Sequence, residues 1–324
     1  MESRLKGRHF ITTQDWTLEE LETLFALAVE LKAAKTEGRP TPLLPGKTLY
    51  MIFFDASTRT RNSFETGMTQ LGGHAIYLSP DKMQISHGEN ARDTAKVLSR
   101  YGEGIAIRHC AFGEGNAYLR EVAKNAEVPV LNMQCDVYHP CQILADYLTI
   151  REKFGNTRGL KLGVAWTSAP NYVRPLSVPQ SLILMMPRFG LDVTLAFPPE
   201  FKLMPDIEEQ ARANARAAGT RLEITHRFED AFENADVVIP KSWGPLVTTR
   251  DTSEGLRLIE KYPSWRCDAE RMKLGKRHLI YMHPLPADRG REVTNEVIDG
   301  PQSAVYDEAE NRLHVQKALM ALTM

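Results

Sequence analysis

Short apolar runs alternate with amphipathic segments along almost the whole chain. After Thr17-Leu-Glu-Glu20, which has the form of a capping box, apolar residues recur at helical spacing as far as Leu31. Further helices are predicted around Phe64, Met68 and Leu71 and at 91–101, 116–125, 141–154 and about 307–322. Strands are predicted at 48–54, 75–78, 104–108, 128–132, 161–166, 192–197, 221–225, 236–239 and 278–282.

Strands separated by helices predict parallel sheets with crossover helices. The pattern restarts after Gly155-Asn156-Thr157, so we expect two α/β domains, each a doubly wound parallel sheet, joined near residue 150. In open parallel sheets ligands bind beyond the carboxyl ends of the strands. Chemistry is therefore expected in the segments that follow strands.

Composition excludes several classes of protein. The 324 residues are 43% hydrophobic and 25% charged, which is the balance of a folded globular chain rather than a disordered one. A net charge of -1 argues against a nucleic-acid partner, and no apolar run is long enough to span a membrane. Four scattered cysteines and no apparent leader favour a reducing cytoplasm and no metal site.

The turn after the first strand carries the strongest signal for a ligand. Asp55-Ala-Ser-Thr-Arg-Thr-Arg61 places hydroxyl and guanidinium donors at a helix N-terminus. Free N–H groups and the helix dipole attract anions there, and arginine matches the shape of a phosphate. The alternative is an ordinary N-cap, Ser57, followed by two solvated arginines.

Three other segments are weaker taken one at a time. In His139-Pro-Cys-Gln142, the histidine and the glutamine share a face at a helix start, where they can polarise a carbonyl and hold an amide; a plain helix start is equally compatible. Cys141 is interpreted as a packing residue. His283-Pro-Leu-Pro286 leaves the carbonyls of Pro284 and Leu285 available to an amine, or is only a rigid turn. Arg312 alone is an ordinary surface charge.

Taken together and in order, these segments resemble the aspartate/ornithine carbamoyltransferase superfamily. The resemblance rests on Ser57-Thr-Arg-Thr-Arg61, Gln84-Ile-Ser-His-Gly-Glu-Asn-Ala-Arg-Asp-Thr94, Ile105-Ala-Ile-Arg108, His139-Pro-Cys-Gln142, His283-Pro-Leu-Pro286 and Asp307-Glu-Ala-Glu-Asn-Arg312. Residues 293–302 and 309–321 are most similar to the ornithine branch. The resemblance implies that residues 1–150, completed by the helix at 307–324, bind carbamoyl phosphate and that 151–306 bind the amine acceptor.

The resemblance also implies roles for individual residues. The phosphate would be held by Ser57, Thr58, Arg59, Thr60 and Arg312. The carbonyl oxygen would be bound by the catalytic residues Arg108, His139 and Thr60, and the carbamoyl NH2 by Gln142. Gln84, with His87 as a further candidate, would come from a neighbouring subunit of a homotrimer with shared active sites. The reaction implied needs no cofactor and no metal.

Three departures from ordinary ornithine enzymes bear on the acceptor. Pro284 stands where those enzymes have cysteine, and Lys241 with Ser242 and Trp243 replaces their Asp and Ser-Met-Gly element. Lys241 would repel an α-ammonium and favour a carboxylate, although a surface lysine is the alternative. Residues 166–180 resemble the proline-rich loop of the knotted carbamoyltransferases, in which Arg174 would meet an acceptor carboxylate; a rigid surface loop is the alternative.

The prediction is thus a carbamoyltransferase of this subgroup, with a trefoil-type knot in the second domain and N-acetylornithine or N-succinylornithine as acceptor. Ordinary ornithine carbamoyltransferase, and a family member with another acceptor, remain open. From a different class, a nucleotide-binding module is disfavoured because no GxGxxG follows a strand. A catalytically silent relative that only binds a phosphorylated metabolite is disfavoured because the whole carbamoyl-phosphate set is present.

Overall fold

A computed structural model describes residues 4–170 and 174–324. Within these ranges the chain packs into two compact units. Unit 1 comprises residues up to 145 together with 310–324, and unit 2 comprises 146–309. Two helices, α5 and α11 below, have residues in both units.

Unit 1 is built on a four-stranded parallel sheet. Its elements are α1 (Leu18–Thr36), β1 (Thr48–Phe53), α2 (Thr58–Gln70), β2 (His74–Leu78), α3 (Ala91–Leu98), β3 (Gly104–His109), α4 (Gly115–Asn125), β4 (Val130–Cys135), the start of α5 (Pro140–Phe154) and most of α11 (Val305–Thr323). The strand order is β2-β1-β3-β4. The predicted capping box opens α1: Glu20 N–H donates to Thr17 Oγ1 over 3.2 Å, and Thr17 N–H donates to a Glu20 carboxylate oxygen over 2.8 Å.

Unit 2 is built on a five-stranded parallel sheet. Its elements are β5 (Lys161–Trp166), α6 (Ser177–Met185), β6 (Asp192–Ala196), α7 (Pro205–Ala218), β7 (Leu222–Thr225), β8 (Val237–Lys241), α8 (Thr252–Glu260), α9 (Ala269–Met272), β9 (Ile280–Tyr281) and α10 (Asn295–Ile298). The strand order is β7-β6-β5-β8-β9, and every pair is parallel. The predicted fold class, two parallel α/β sheets, is confirmed.

Close approach of the backbone in this sheet depends on a glycine. Gly163 lies in the middle of β5, and a Cβ there would stand 1.8 Å from the carbonyl oxygen of Ala231. Only a residue without a side chain fits, because the obstacle is backbone that cannot rotate away. Gly163 thereby lets the turn around Ala231 lie against the central strand.

Several predicted segments differ from the structure: the strand expected at 278–282 is limited to Ile280–Tyr281, and the helix expected at 91–101 ends at Leu98. The fourth strand was expected at 128–132 but runs over Val130–Cys135, because Pro129 has no N–H and the polar Asn132 and Gln134 are buried. The expected loop at 166–180 is shorter, since Trp166 ends β5 and Ser177–Gln180 are helical. Within that loop, Asn171, Tyr172 and Val173 lie outside the described residues, and the knot stays a prediction.

Candidate active site

The turn after β1 forms a polar helix N-terminus in unit 1. Ser57 caps α2, its hydroxyl accepting the N–H of Thr60 over 3.2 Å. Thr60 is 1% exposed, and its Oγ1 accepts a hydrogen bond from a guanidinium N–H of Arg312 on α11 over 3.2 Å. Two segments 252 residues apart in sequence therefore meet at this N-terminus.

His139 lies in a strongly cationic setting. Its ring is buried just before α5, and burial together with the charges of Arg312, Arg108 and Arg59 holds its pKa well below 6.5. The imidazole is therefore neutral at pH 7 and lies in the field of three guanidinium groups. An excess of positive charge beside a helix N-terminus suits a dianion.

Neighbouring residues orient this group. Arg108, at the end of β3, donates from its guanidinium to the side-chain oxygen of Gln134 on β4. Gln142 is 1% exposed in the first turn of α5, and its N–H donates to the carbonyl oxygen of His139 over 3.1 Å. Arg108 near the carboxyl end of β3, and His139 and Gln142 after β4, thus lie at the ends of neighbouring strands of one sheet.

Cys141 and the segment of Gln84 and His87 are the remaining features that the sequence singled out in unit 1. Cys141 donates its thiol to the Asn132 carbonyl over 3.5 Å, and burial raises its pKa to about 12, in keeping with a packing residue. Gln84 and His87 lie in an exposed 3-10 turn, Gln84–His87, whose hydrogen bonds are local. A role for them in an active site stays a prediction.

Unit 2 carries a second charged cluster at the carboxyl ends of β5, β8 and β9. Lys241 ends β8, and its Nζ lies 3.2 Å from a carboxylate oxygen of Glu292. Arg174 forms ion pairs with Asp288 and, over 3.5 Å, with Glu292. The side chains of Lys241 and Arg174 are 14% and 18% exposed, so neither is a solvated surface cation.

The His283-Pro-Leu-Pro286 segment follows β9 in the same unit. The Leu285 N–H donates to Nδ1 of the buried His283 over 2.9 Å, and Leu285 has a φ of 51°, in the left-handed region. Over the described ranges, no backbone N–H donates to the carbonyl oxygens of Pro284 and Leu285. A role for these two carbonyls in binding an amine stays a prediction.

Ser242 and Trp243 continue β8 into the cluster. The hydroxyl and N–H of Ser242 both donate to Glu292 over 2.7 Å. Trp243 is 1% exposed, and its indole N–H donates to the Phe201 carbonyl over 2.7 Å. Its ring therefore packs inside unit 2, and an acceptor-binding role for it stays a prediction.

Sequence reasoning missed the two carboxylates of this cluster. Asp288 and Glu292 follow the His-Pro-Leu-Pro motif by two and six residues, and the sequence motifs singled out neither of them. The available signal was their position in the segment that follows β9, since ligands bind beyond the carboxyl ends of the strands in an open parallel sheet. Among the described residues, no group of three His, Cys, Asp or Glu is suited to a metal ion.

Family models match both halves of the chain. Residues 8–152 match "Aspartate/ornithine carbamoyltransferase, carbamoyl-P binding domain", and residues 175–323 match "Aspartate/ornithine carbamoyltransferase, Asp/Orn binding domain". The chain belongs to the aspartate/ornithine carbamoyltransferase family. It is an enzyme, a carbamoyltransferase, as its sequence motifs predicted.

Similar proteins of this family span nearly the whole chain. The ornithine carbamoyltransferase of Halalkalibacterium halodurans is 44% identical, covering 98% of this chain and 95% of that protein. The ornithine carbamoyltransferase of Carboxydothermus hydrogenoformans is 42% identical, covering 98% of each.

Solved carbamoyltransferase structures of two kinds match the fold. Ornithine carbamoyltransferase from Pyrococcus furiosus superposes with a TM-score of 0.89 at 39% identity, covering 100% of this chain and 99% of that one. N-acetyl-L-ornithine transcarbamylase superposes with a TM-score of 0.90 at 35% identity, covering 98% and 100%. No helix in the described parts of this carbamoyltransferase has the length and apolar character needed to cross a bilayer.

Proposed function

We propose that this enzyme transfers the carbamoyl group of carbamoyl phosphate to the side-chain amine of an ornithine-type acceptor whose α-amino group is acylated. N-acetylornithine and N-succinylornithine are the leading candidates, and the products are a ureido compound and phosphate. The observation that carries this acceptor is the partly buried pair of cations, Lys241 and Arg174, in unit 2.

In unit 1, the proposed site binds carbamoyl phosphate through its surplus of positive charge. Ser57, Thr58, Arg59 and Thr60 hold the phosphate at the start of α2, and Arg312 reaches it from α11. Arg108, His139 and Thr60 bind the carbonyl oxygen, and Gln142 binds the NH2 group. The contact between Arg312 and Thr60 and the field of three arginines on His139 support this assignment.

The proposed reaction is a direct acyl transfer. The uncharged amine attacks the carbamoyl carbon, a C–N bond forms, negative charge grows on the carbonyl oxygen, and the C–O bond to phosphate breaks. Each preplaced donor on that oxygen contributes about 3 kcal/mol, and holding two reactants together contributes roughly 7–11 kcal/mol. The departing phosphate accepts the amine proton, so no protein base is required.

The positive charges of the cluster in unit 2 favour an acceptor whose α-amino group is acylated. A free α-ammonium beside Lys241 and Arg174 is repelled, whereas acylation removes that charge and leaves the carboxylate to be attracted. The likeness to acetylornithine transcarbamylase, including a structure complexed with acetylcitrulline at a TM-score of 0.90, supports this acceptor class.

Free ornithine is the second candidate. It is favoured by the relatives, which are named ornithine carbamoyltransferases and are 40–44% identical. It is also favoured by Glu292 and Asp288, whose charges offset those of Lys241 and Arg174. The two candidates therefore differ in whether the acceptor half retains enough positive charge to exclude an ammonium group.

Steady-state assays of ureido product decide between them. With carbamoyl phosphate saturating, kcat/KM is measured for ornithine, N-acetylornithine, N-succinylornithine and aspartate. We expect an acylated ornithine to exceed free ornithine by about 100-fold. Lys241→Gln should raise the acceptor KM without changing that of carbamoyl phosphate; turnover of free ornithine alone would reject the acylated acceptor.

The proposal includes a homotrimer in which Gln84 completes the site of a neighbouring subunit, in a reducing cytoplasm where the four free cysteines persist. Active-site complementation tests this arrangement. Arg59→Ala and Gln84→Ala chains, each with little activity alone at low carbamoyl phosphate, should regain activity when refolded together, because a mixed trimer contains some intact sites. Light scattering gives the mass of the assembly, and no regain of activity would rule out shared sites.

A further inference from the structure

One buried carboxylate connects the acceptor-side segments of unit 2. Glu292 is 0% exposed, and its Oε1 accepts the N–H and the hydroxyl of Ser242, each over 2.7 Å. The same oxygen lies 3.2 Å from Lys241 Nζ, 3.4 Å from the Thr167 hydroxyl and 3.4 Å from His283 Nε2. Groups that follow β5, β8 and β9 therefore converge on a single side chain.

The second oxygen of Glu292 holds the loop that carries Asp288. Oε2 accepts the N–H of Asp288 over 2.8 Å and lies 3.5 Å from the Arg174 guanidinium. Asp288 in turn pairs with Arg174. Both cations assigned to the acceptor are thus positioned by these two carboxylates.

The charges in this cluster are nearly balanced. Burial alone would raise the pKa of Glu292, but Lys241, His283 and Arg174 hold it well below its ordinary value, so it is ionised. Burial lowers the pKa of His283, and the Leu285 N–H donated to Nδ1 places the ring proton on Nε2, facing Glu292. Two cations and two carboxylates remain.

Glu292 cannot itself receive an acceptor, because it is enclosed and its oxygens are occupied by protein donors. It acts on a ligand through the cations that it holds. Removing its charge while keeping its shape leaves Asp288 as the carboxylate that balances Lys241 and Arg174. The net charge of the cluster then rises by one.

We infer that Glu292, assisted by Asp288, is a positioning residue that sets the net charge offered to the acceptor and thereby selects among acceptors by charge. This inference rests on the proposed function in placing the acceptor at Lys241 and Arg174. It predicts that the ligand with more negative charge gains when either carboxylate is neutralised.

Inert analogues without the reacting amine test the inference by calorimetry, with carbamoyl phosphate present. N-succinylnorvaline carries two carboxylates and N-acetylnorvaline carries one. In Glu292→Gln the ratio of their affinities should shift toward the succinyl compound by about fivefold. In Glu292→Asp, which keeps the charge, the ratio should stay at the wild-type value even where both affinities fall.

A purely structural role would lower both affinities together in both variants, and an unchanged ratio in Glu292→Gln would overturn the inference. Asp288→Asn, at a partly exposed position, gives the same test with less disturbance of the core and should shift the ratio in the same direction. Carbamoyl phosphate binding to unit 1 should be unchanged in all three variants.

Failure of the acylated-acceptor proposal has a different signature. In that case the wild type binds norvaline but neither acylated analogue. The inference is then tested with norvaline against pentanoate, which differ by the ammonium group. Glu292→Gln should weaken norvaline relative to pentanoate by about fivefold, and an equal loss for both would overturn it.

Discussion

The two arginines of the turn after β1 have different surroundings and should have different effects on carbamoyl phosphate. Arg61 pairs with Glu65 over 3.4 Å, and its guanidinium stacks 4.0 Å from the Tyr77 ring centre. Arg59 acts electrostatically on the buried His139. The structure therefore offers a matched pair of substitutions on one helix turn.

Arg59→Ala should raise the KM for carbamoyl phosphate by about 30- to 100-fold, the effect of losing a charged hydrogen-bond donor to phosphate. Arg61→Ala should change it by less than about threefold, because its partners are protein groups. Initial-rate measurements at saturating acceptor give both values. Equal effects of the two substitutions would contradict the assignment of Arg59.

Cys141 provides a second test at the scale of a single residue. Burial raises its pKa to about 12, so the thiol is protonated at neutral pH and is a poor nucleophile. We expect Cys141→Ala to retain kcat within about threefold, with stability lowered by loss of packing. Loss of all activity in a folded Cys141→Ala variant would indicate a chemical role instead.

At the scale of elements, the capping box of α1 should contribute to stability without contributing to catalysis. Thr17→Ala removes the hydroxyl that accepts the Glu20 N–H and should cost about 1 kcal/mol of unfolding free energy. Thr36→Ala, at the exposed last residue of the same helix, is the control and should cost less. Urea denaturation measures both; an altered carbamoyl phosphate KM in Thr17→Ala would contradict the separation.

Elements were predictable where apolar periodicity determines them and less so where polar groups are buried. The strand at 161–166 was predicted at its observed bounds because both faces of β5 are apolar. The predicted bounds of β4 were wrong because Asn132 has the appearance of a loop residue in sequence. In the structure its side chain donates to the Ile11 carbonyl, 121 residues away. The carboxylate of Glu292 was missed for the same reason, since its partners come from three distant segments.

The candidate site was predicted best where one helix N-terminus assembles it. Ser57 and Thr60 are neighbours in sequence, and their hydrogen bond follows from local geometry alone. The contact of Arg312 with Thr60 is a tertiary one, and only the resemblance to known carbamoyltransferases indicated it. A pattern of residue types specifies local donors, whereas charge balance among distant segments requires the fold.

At the scale of the whole molecule, several histidines are held neutral, chiefly by burial. The pKa values of five of the nine histidines are lowered, each first of all by burial: His9, His109, His139, His283 and His314. For His314, burial and the charges of Lys35, Lys317 and Lys32 lower the pKa to about 3. These residues make stability depend on pH in a definite direction.

A histidine whose pKa is lower in the folded than in the unfolded chain binds its proton only after unfolding, so stability falls as pH drops below about 6.5. For His314 alone, the loss between pH 6.5 and 5 is about 1.7 kcal/mol, since its folded-state pKa of about 3 lies below this range. The wild-type urea midpoint should therefore decrease steadily from pH 7 to 5. In His314→Gln the decrease should be smaller by that share, whereas His74→Gln, at an exposed position, should follow the wild type. Identical pH dependence in His314→Gln and the wild type would show that His314 takes up a proton without unfolding, and the acid sensitivity would then arise from the other four histidines with lowered pKa values.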